Sequence, residues 1–355
     1  MPEQEQYKVA VVQAAPVFLD LEATIEKGIG YIEDAAGNGA RLIGFPETWI
    51  PGYPWWIWLD CPIDGLRFVR QYHENSLRKD SPQLQKLCDA ARDNDIFVVM
   101  GASERAGGSL YIAQFFIDAD GSLLDVRRKL KPTHVERTVF GDGHGNNLRV
   151  FDTDLGRIGG LCCWEHLQPL TKYAMYAQNE QVHIGAWPTF SLYRDKAYSL
   201  SPEMNMAVCS VYAMEGQCYY LAPSGVVSED MLELLVRASA KQELLLPGGG
   251  SAMIFGPDGA PLCDYLDENT EGLLYADIDL GAISIAKSFA DPAGHYSRPD
   301  VTRLLLNMSP VAPVEIINAA PGRDLEGEEI DGDTDGGALP VRMTIANQIT
   351  NMQPD

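Results

Sequence analysis

Gly159-Gly160-Leu161-Cys162-Cys163-Trp164-Glu165-His166 is the stretch from which the rest of the chain can be read. An apolar run ends there in a thiol flanked by aromatic and charged side chains. Residues 157–162 read as a short buried strand, and residues 167–177 as the helix that follows it. A side chain at such a strand-to-helix turn sits at the rim of a sheet, held by packed elements yet open to a ligand. Cys163 is therefore a candidate nucleophile. The alternative is a buried structural thiol, because free cysteine packs as a small hydrophobe.

Working outward, strand-like and helix-like stretches alternate on both sides. Residues 8–14 are a near-continuous apolar run bounded by Pro16, the pattern of a central strand. After Asp20, a suitable N-cap, Leu21, Ile25, Ile29, Ile32 and Ala36 recur at helical spacing until Gly37-Asn38-Gly39 stops them. Residues 41–45 form a second strand that delivers Pro46 and Glu47 at its C-terminal end, where α/β sheets keep their chemistry. Residues 49–58 hold four of the six tryptophans, broken by Pro51, Gly52 and Pro54. They read as an irregular loop, either core or the wall of an apolar pocket. Ser81-Pro82 starts a helix with Leu84, Leu87, Cys88 and Ala91 on one face. Strand-like residues 96–101 and 110–117 lie among glycine turn signals. The chain then enters the charged run 127–137, which contains Lys129, Lys131, His134 and Glu136. Such a run is either a solvated face or, at a strand end, part of a site.

Beyond the cysteines, residues 181–187 and 218–222 read as strands around a helix at 204–215. Residues 251–255 and 262–264 flank Gly256-Pro257-Asp258-Gly259, a hairpin turn by composition. Residues 247–251 are glycine-rich without the lysine of a phosphate loop and read as a flexible connection. Residues 273–278 close the sheet. The pattern runs twice, once on each side of about residue 150, so the expected fold is α/β with two similar halves.

Composition excludes several classes. With 355 residues and 46% hydrophobic content, the chain can bury a large core. A net charge of −23 disfavours a nucleic-acid partner, which would need a basic face. The N-terminal residues are polar and acidic, and no apolar run is long enough to span a bilayer, so no membrane partner and a cytoplasmic location are expected. Seven scattered cysteines suit a reducing compartment. No Cys-x-x-Cys pair and no histidines at i, i+4 support a metal site. Asp331-Gly332-Asp333-Thr334-Asp335-Gly336 resembles the start of a calcium loop, but Arg342 stands where its bidentate glutamate belongs. Residues 1–312 are read as one catalytic domain and residues 313–355, with nine acidic and two basic side chains, as a disordered tail.

Four segments together resemble the nitrilases of the carbon-nitrogen hydrolase superfamily. Residues 39–54 resemble the first signature of that family, residues 128–137 its lysine-bearing segment, residues 159–172 the second signature, and residues 294–300 its C-terminal motif. The likeness spans roughly residues 7–305 in order. Within the family, Tyr53-Pro54-Trp55-Trp56-Ile57-Trp58 and residues 173–178 look closest to arylacetonitrilases. The resemblance implies a four-layer α-β-β-α sandwich, no cofactor, and dimers stacking into spirals. It also implies a catalytic Glu47, Lys129 and Cys163 with Glu136 as a second glutamate, and a substrate pocket with Tyr53, Trp55, Trp164, Trp187 and His134. Cys162 and Lys131 are near-neighbours that could be confused with the working residues, and strand alternation should point Cys162 the opposite way from Cys163. Residues 141–146 depart from the family pattern and are read as lining an interface or the pocket mouth. His295 is read either as reaching the site or as making a structural hydrogen bond.

The chemistry asks for the same residue types. A nitrile carbon is a weak electrophile, so attack needs a thiolate or a thiol deprotonated as it attacks; Glu47 would be the base and Lys129 the fixed cation. Hydrolysis of an arylacetonitrile or other aromatic nitrile leads the readings. An amidase would use the same groups, and a non-catalytic self-assembling protein would need none of them.

Overall fold

The computed structural model describes residues 6–236, 241 and 243–312. Met1–Met308 forms one unit and Ser309–Asp355 another. The acidic residues 313–355, with the calcium-like run at Asp331, lie outside the described residues.

The opening apolar run forms β1 (Gln6–Ala14), followed by α1 (Leu21–Gly37) and β2 (Ala40–Gly44). Asp20 caps α1 by accepting the Ala23 N–H at 3.0 Å, satisfying a donor that the first turn cannot pair internally. After the tryptophan-rich segment come α2 (Trp56–Leu59), α3 (Pro62–Glu74) and α4 (Pro82–Asp93), then β3 (Phe97–Ala106), β4 (Ser109–Ile117) and β5 (Leu123–Arg128). The second half contributes β6 (Phe151–Thr153), β7 (Gly156–Cys162), a 3₁₀ turn (Cys163–Leu167), α5 (Pro169–Tyr176), β8 (Val182–Ala186), α6 (Pro202–Gly216) and β9 (Tyr219–Ala222). It ends with β10 (Ser224–Gly225), α7 (Glu229–Leu235), β11 (Met253–Phe255), β12 (Gly272–Asp279) and α8 (Gly281–Phe289).

Two sheets result. The first runs β5-β4-β3-β2-β1, with β10 and β12 both pairing with β1; the second runs β6-β7-β8-β9-β11. β1, β2 and β3 are parallel, as are β7, β8 and β9. Alternate residues of β1 explain why its sequence does not alternate in polarity. Val9 and Val11 pack with Phe97 and Val99 against Ile158, Val182, Ile184 and Leu221 of the second sheet. Ala10 and Val12 face the other way, with Ile43 and Val98, towards Ile25, Ile32, Leu84 and Leu87 of α1 and α4. On the far side, Leu161, Tyr220 and Met253 pack against Met175 of α5 and Cys209, Tyr212 and Ala213 of α6. Each fully buried Val, Leu or Ile is worth ~1.5–3 kcal/mol over an exposed one, so strands with two apolar faces favour burial between layers. The architecture is the four-layer α-β-β-α sandwich.

Residues 273–278 close a sheet as expected, β12 joining the first one antiparallel to β1 from Gln6↔Asp279 to Gln13↔Gly272. Three readings change. The 167–177 helix starts at Pro169, because the preceding residues wind into the tighter turn on which Cys163 sits. Residues 262–264 form no strand: the Gly256–Gly259 turn is made, with Gly259 N–H donating to the Gly256 carbonyl at 2.8 Å. Only a one-residue bridge between Phe255 and Pro261 follows it, since proline has no N–H to extend a ladder. Residues 247–251 are pinned rather than a flexible connection. Gly248 exchanges two backbone hydrogen bonds with Val227, and its carbonyl accepts from Thr189 and Ser191. Among the described residues no helix is long and apolar enough to cross a membrane. All seven cysteines are free thiols.

Candidate active site

Three chain corners meet at the C-terminal ends of β2, β5 and β7. The first follows β2: Glu47 turns away from the sheet, its N–H donating to the Trp187 carbonyl at 3.1 Å, and Thr48 behind it is left-handed at φ 46°. Gly101 of β3 permits this corner, because a Cβ there would lie 1.8 Å from the Pro46 carbonyl oxygen. The second follows β5, where the Lys129 N–H donates to the Ile112 carbonyl at 2.8 Å and His134 is left-handed at φ 48°. The third follows β7, where Cys163 itself is left-handed at φ 48°. A non-glycine residue in that region is held there by its surroundings, and such residues concentrate at functional sites.

The corners converge on one buried ammonium. Lys129 Nζ donates to Glu47 Oε1 at 2.7 Å and to Glu136 Oε2 at 2.9 Å, and all three side chains are almost wholly shielded from solvent. Glu136 also accepts the Tyr53 hydroxyl on Oε1 at 2.7 Å and the Thr133 N–H on Oε2 at 2.6 Å. Glu47 Oε2, by contrast, is buried and accepts nothing among the described residues. Burial raises the Glu47 carboxyl to about 8 against the pull of Lys129, with Glu136 adding to the rise. Burial alone would lower the Lys129 ammonium, but Glu136 and Glu47 outweigh it and hold it well above its ordinary value. Burial and the Glu47 charge push the Cys163 thiol well up, Lys129 opposing them. At rest the sulfur is therefore a thiol, near a Glu47 carboxyl whose Oε2 has no partner among the described residues and which becomes a base only as it ionises.

Cys163 and Glu136 line a cavity enclosing about 490 Å³ counting its open mouth. Its walls include Tyr53, Trp55, Trp58, Trp164, Trp187 and Phe190, with Thr133 and Asn205 as polar interruptions. The tryptophan-rich segment thus divides. Tyr53, Trp55 and Trp58 face the cavity. Trp49 is core, packed on Phe45 with ring centroids 5.2 Å apart and its indole N–H donating to the Ala14 carbonyl. Trp56 is core as well, stacked on Phe68 of α3.

A family model described as carbon-nitrogen hydrolase matches residues 8–287. The chain belongs to the carbon-nitrogen hydrolase family. It is 59% identical to a nitrilase of Pseudomonas syringae pv. syringae (strain B728a), over 86% of this chain and 91% of that one. Identity is 50% with an aliphatic nitrilase of Rhodococcus rhodochrous, over 87% of this chain and 84% of that one. With an arylacetone-specific nitrilase of Alcaligenes faecalis it is 48%, over 90% of each chain. The fold is similar to that of a carbon-nitrogen hydrolase from Helicobacter pylori G27, with a TM-score of 0.66 at 19% identity over 83% of this chain and 96% of that one.

Of the residues singled out from this hydrolase's sequence, Glu47, Lys129 and Glu136 are joined by hydrogen bonds, and Cys163 opens on the same cavity as Glu136. Cys162 is fully buried and is not among the cavity's lining residues. Lys131 is exposed and paired with Asp142 at 2.7 Å. Tyr53, Trp55, Trp164 and Trp187 line the cavity, but His134 does not: it is exposed and stacks on Trp58 at 5.3 Å, one layer outside the wall. The 141–146 loop does not line the cavity either. Its Gly143 N–H donates to the Lys129 carbonyl at 2.8 Å, so it braces the lysine's strand end. His295 is exposed and is not among the lining residues. Among the described residues no group of side chains could hold a metal ion.

Sequence reading missed the clamp that joins two of the corners. Arg127 and Glu165, both buried, form a two-pronged ion pair at 2.5 and 2.6 Å. Glu165 also accepts the N–H groups of Leu130 and Cys162, each at 2.8 Å. One carboxylate therefore ties the residue after Lys129 to the residue before Cys163. The available signal was alternation: Arg127 in β5 and Lys129 just past its end are two apart in extended chain and share a face.

Proposed function

We propose that the chain is a nitrilase that hydrolyses aromatic nitriles, arylacetonitriles among them, to the carboxylic acid and ammonia. The observation that carries this is the unused Glu47 oxygen and the doubly held Lys129 ammonium beside a thiol in an aromatic-walled cavity. As Cys163 Sγ bonds to the nitrile carbon, its proton passes to Glu47 Oε2. The electron pair pushed onto nitrogen is met by the third N–H of Lys129, which Glu47 and Glu136 leave unused, and proton transfer gives a thioimidate. Glu47 then restores the lysine's proton. A water adds to the thioimidate carbon, the C–N bond breaks as ammonia leaves, and a thioester remains. A second water attacks it, the C–S bond breaks, and acid and thiol are released. Cleavage of C–S before C–N would instead release the amide. Glu136, fixed by Tyr53 and the Thr133 N–H, keeps the ammonium aimed.

The aromatic walls support a flat apolar substituent next to the reacting carbon, because stacked rings gain ~0.5–1.5 kcal/mol beyond area burial. The test is to supply phenylacetonitrile, an aliphatic nitrile and the matching amides separately and measure ammonia. Nitriles should release it with acid as the main product. Faster turnover of the amides alone would replace this reading with an amidase.

A base must be ionised before it can act, and Glu47 sits at about 8. kcat/KM is therefore expected to fall as pH drops below about 8, approaching tenfold per unit. A profile flat between pH 6 and 8 would remove Glu47 from the role of base.

A further inference from the structure

Behind the nucleophile lies a chain of buried polar side chains that the mechanism above does not use. His166 Nδ1 is 2.5 Å from the Cys163 carbonyl oxygen, His166 Nε2 is 2.9 Å from His183 Nε2 and 3.0 Å from the Tyr220 hydroxyl, and His183 Nδ1 is 2.7 Å from Glu180 Oε1. Tyr212 donates to Glu180 Oε2 at 2.7 Å, and the Trp187 indole N–H donates to the Tyr220 hydroxyl at 3.1 Å. Every one of these side chains is 0–1% exposed. Two glycines make the room: a Cβ at Gly159 would lie 2.1 Å from Glu180 Oε1, and one at Gly185 1.8 Å from the Tyr220 oxygen.

The partners dictate where the hydrogens are. A carbonyl oxygen only accepts, so His166 carries its hydrogen on Nδ1 and its Nε2 is bare. A second bare nitrogen could not sit 2.9 Å away, so His183 carries a hydrogen on Nε2. That hydrogen takes the one lone pair of His166 Nε2, so the Tyr220 hydroxyl, which accepts from Trp187, directs its own hydrogen to the Cys209 thiol instead. One further proton then lies between His183 Nδ1 and Glu180. Burial lowers both imidazoles well below their ordinary range and raises the Glu180 carboxyl to about 8, which places that proton on Glu180. The order of donors runs in one direction, from Glu180 through His183 to His166, and leaves His166 with only one tautomer to adopt.

We propose that His166 is a positioning residue for the nucleophile: it holds the Cys163 carbonyl, and the His183–Glu180 pair fixes the tautomer that lets it do so. This rests on Cys163 being the nucleophile. The Cys163 turn is left-handed, a strained conformation for a residue with a side chain, and the bond from His166 restrains it from three residues on. The same imidazole stacks on Trp187, with centroids 5.4 Å apart and planes 19° apart. Trp187 is a cavity wall whose carbonyl accepts the Glu47 N–H. One ring thus braces nucleophile, wall and base together.

The discriminating pair is His166→Asn and His166→Gln. Asparagine can place its amide N–H near the Nδ1 position and keep the bond to Cys163. Glutamine reaches the Nε2 position and loses it. Loss of that bond should lower kcat and the rate of Cys163 alkylation by iodoacetamide about 100-fold in His166→Gln, against about 10-fold or less in His166→Asn, with KM changed less than kcat in both. Glu180→Gln, which can still donate to His183 Nδ1, should keep most of the rate, whereas Glu180→Leu should lose it as His166→Gln does. This second pair decides the matter if the His166 variants do not fold. Equal loss within both pairs, in variants with native circular dichroism, would make the network a structural core feature and overturn the proposal. Cys163→Ala run alongside separates the two ideas. Turnover retained there would sink the nucleophile assignment itself, whereas an inactive Cys163→Ala with indistinguishable His166 variants would sink only the positioning role.

Discussion

Replacing Cys163 with alanine should lower kcat by at least about 10⁴-fold, while Cys162→Ala keeps most of the activity; losses of this order are what removing a nucleophile costs when the remaining groups can only bind and polarise the substrate. The two sulfurs are adjacent, and burial raises both thiols well above their ordinary value, so acidity does not separate them. Position does. Cys163 borders the cavity with Glu136, whereas Cys162, paired with Ala186 in the sheet, is fully buried and does not line it. Steady-state ammonia release by the two purified variants is the measurement, and a dead Cys162→Ala beside an active Cys163→Ala would mean that the wrong sulfur has been chosen.

Lys129→Met is expected to fail twice. The developing charge on the substrate nitrogen loses its cation, which should cost about 10²–10³-fold in kcat. Glu47 and Glu136 then lie in the interior without the ammonium between them, and breaking a buried ion pair by removing one partner costs about 3–5 kcal/mol. The side chains concerned are at most 2% exposed, so solvent does little to soften the penalty. Urea melts should register the stability loss, and kcat measured on the fraction that remains folded should register the chemical one. A variant as stable as the parent would mean that the two carboxyls are already neutral in the folded protein.

Much of the fold was legible because its strands are apolar on both faces. β1, β2, β4, β7, β8 and β9 fall where the continuous apolar runs lie, and α1, α4 and α6 follow N-caps and helical spacing. α3 escaped notice although Gly65, Phe68 and Tyr72 keep helical spacing on its buried face. Its outer face carries the exposed Ile63, Leu66 and Val69, which blurs the contrast on which periodicity depends. Glu47, Lys129 and Cys163 were read from segments at strand ends, and Glu136 from the charged run that follows Lys129. The polar network behind Cys163 was not, since His183 and Tyr212 sit in stretches that read as ordinary strand and helix and Glu180 in the connection before that strand. A histidine within Val182–Ala186, a strand otherwise of small and apolar residues, was the clue. His134 was misplaced because its segment was read as one unit, whereas the 3₁₀ turn His134–Thr138 buries Glu136 and leaves His134 exposed.

The pairing of β12 with β1 over eight residues has a consequence for how the protein is made. β1 leaves the ribosome more than 250 positions before β12, the strand that covers its second edge. Closing so long a loop is slow, and an apolar edge left open in the meantime can recruit the wrong neighbour. A nascent chain halted before Gly272 would present that edge to chaperones and aggregates alike.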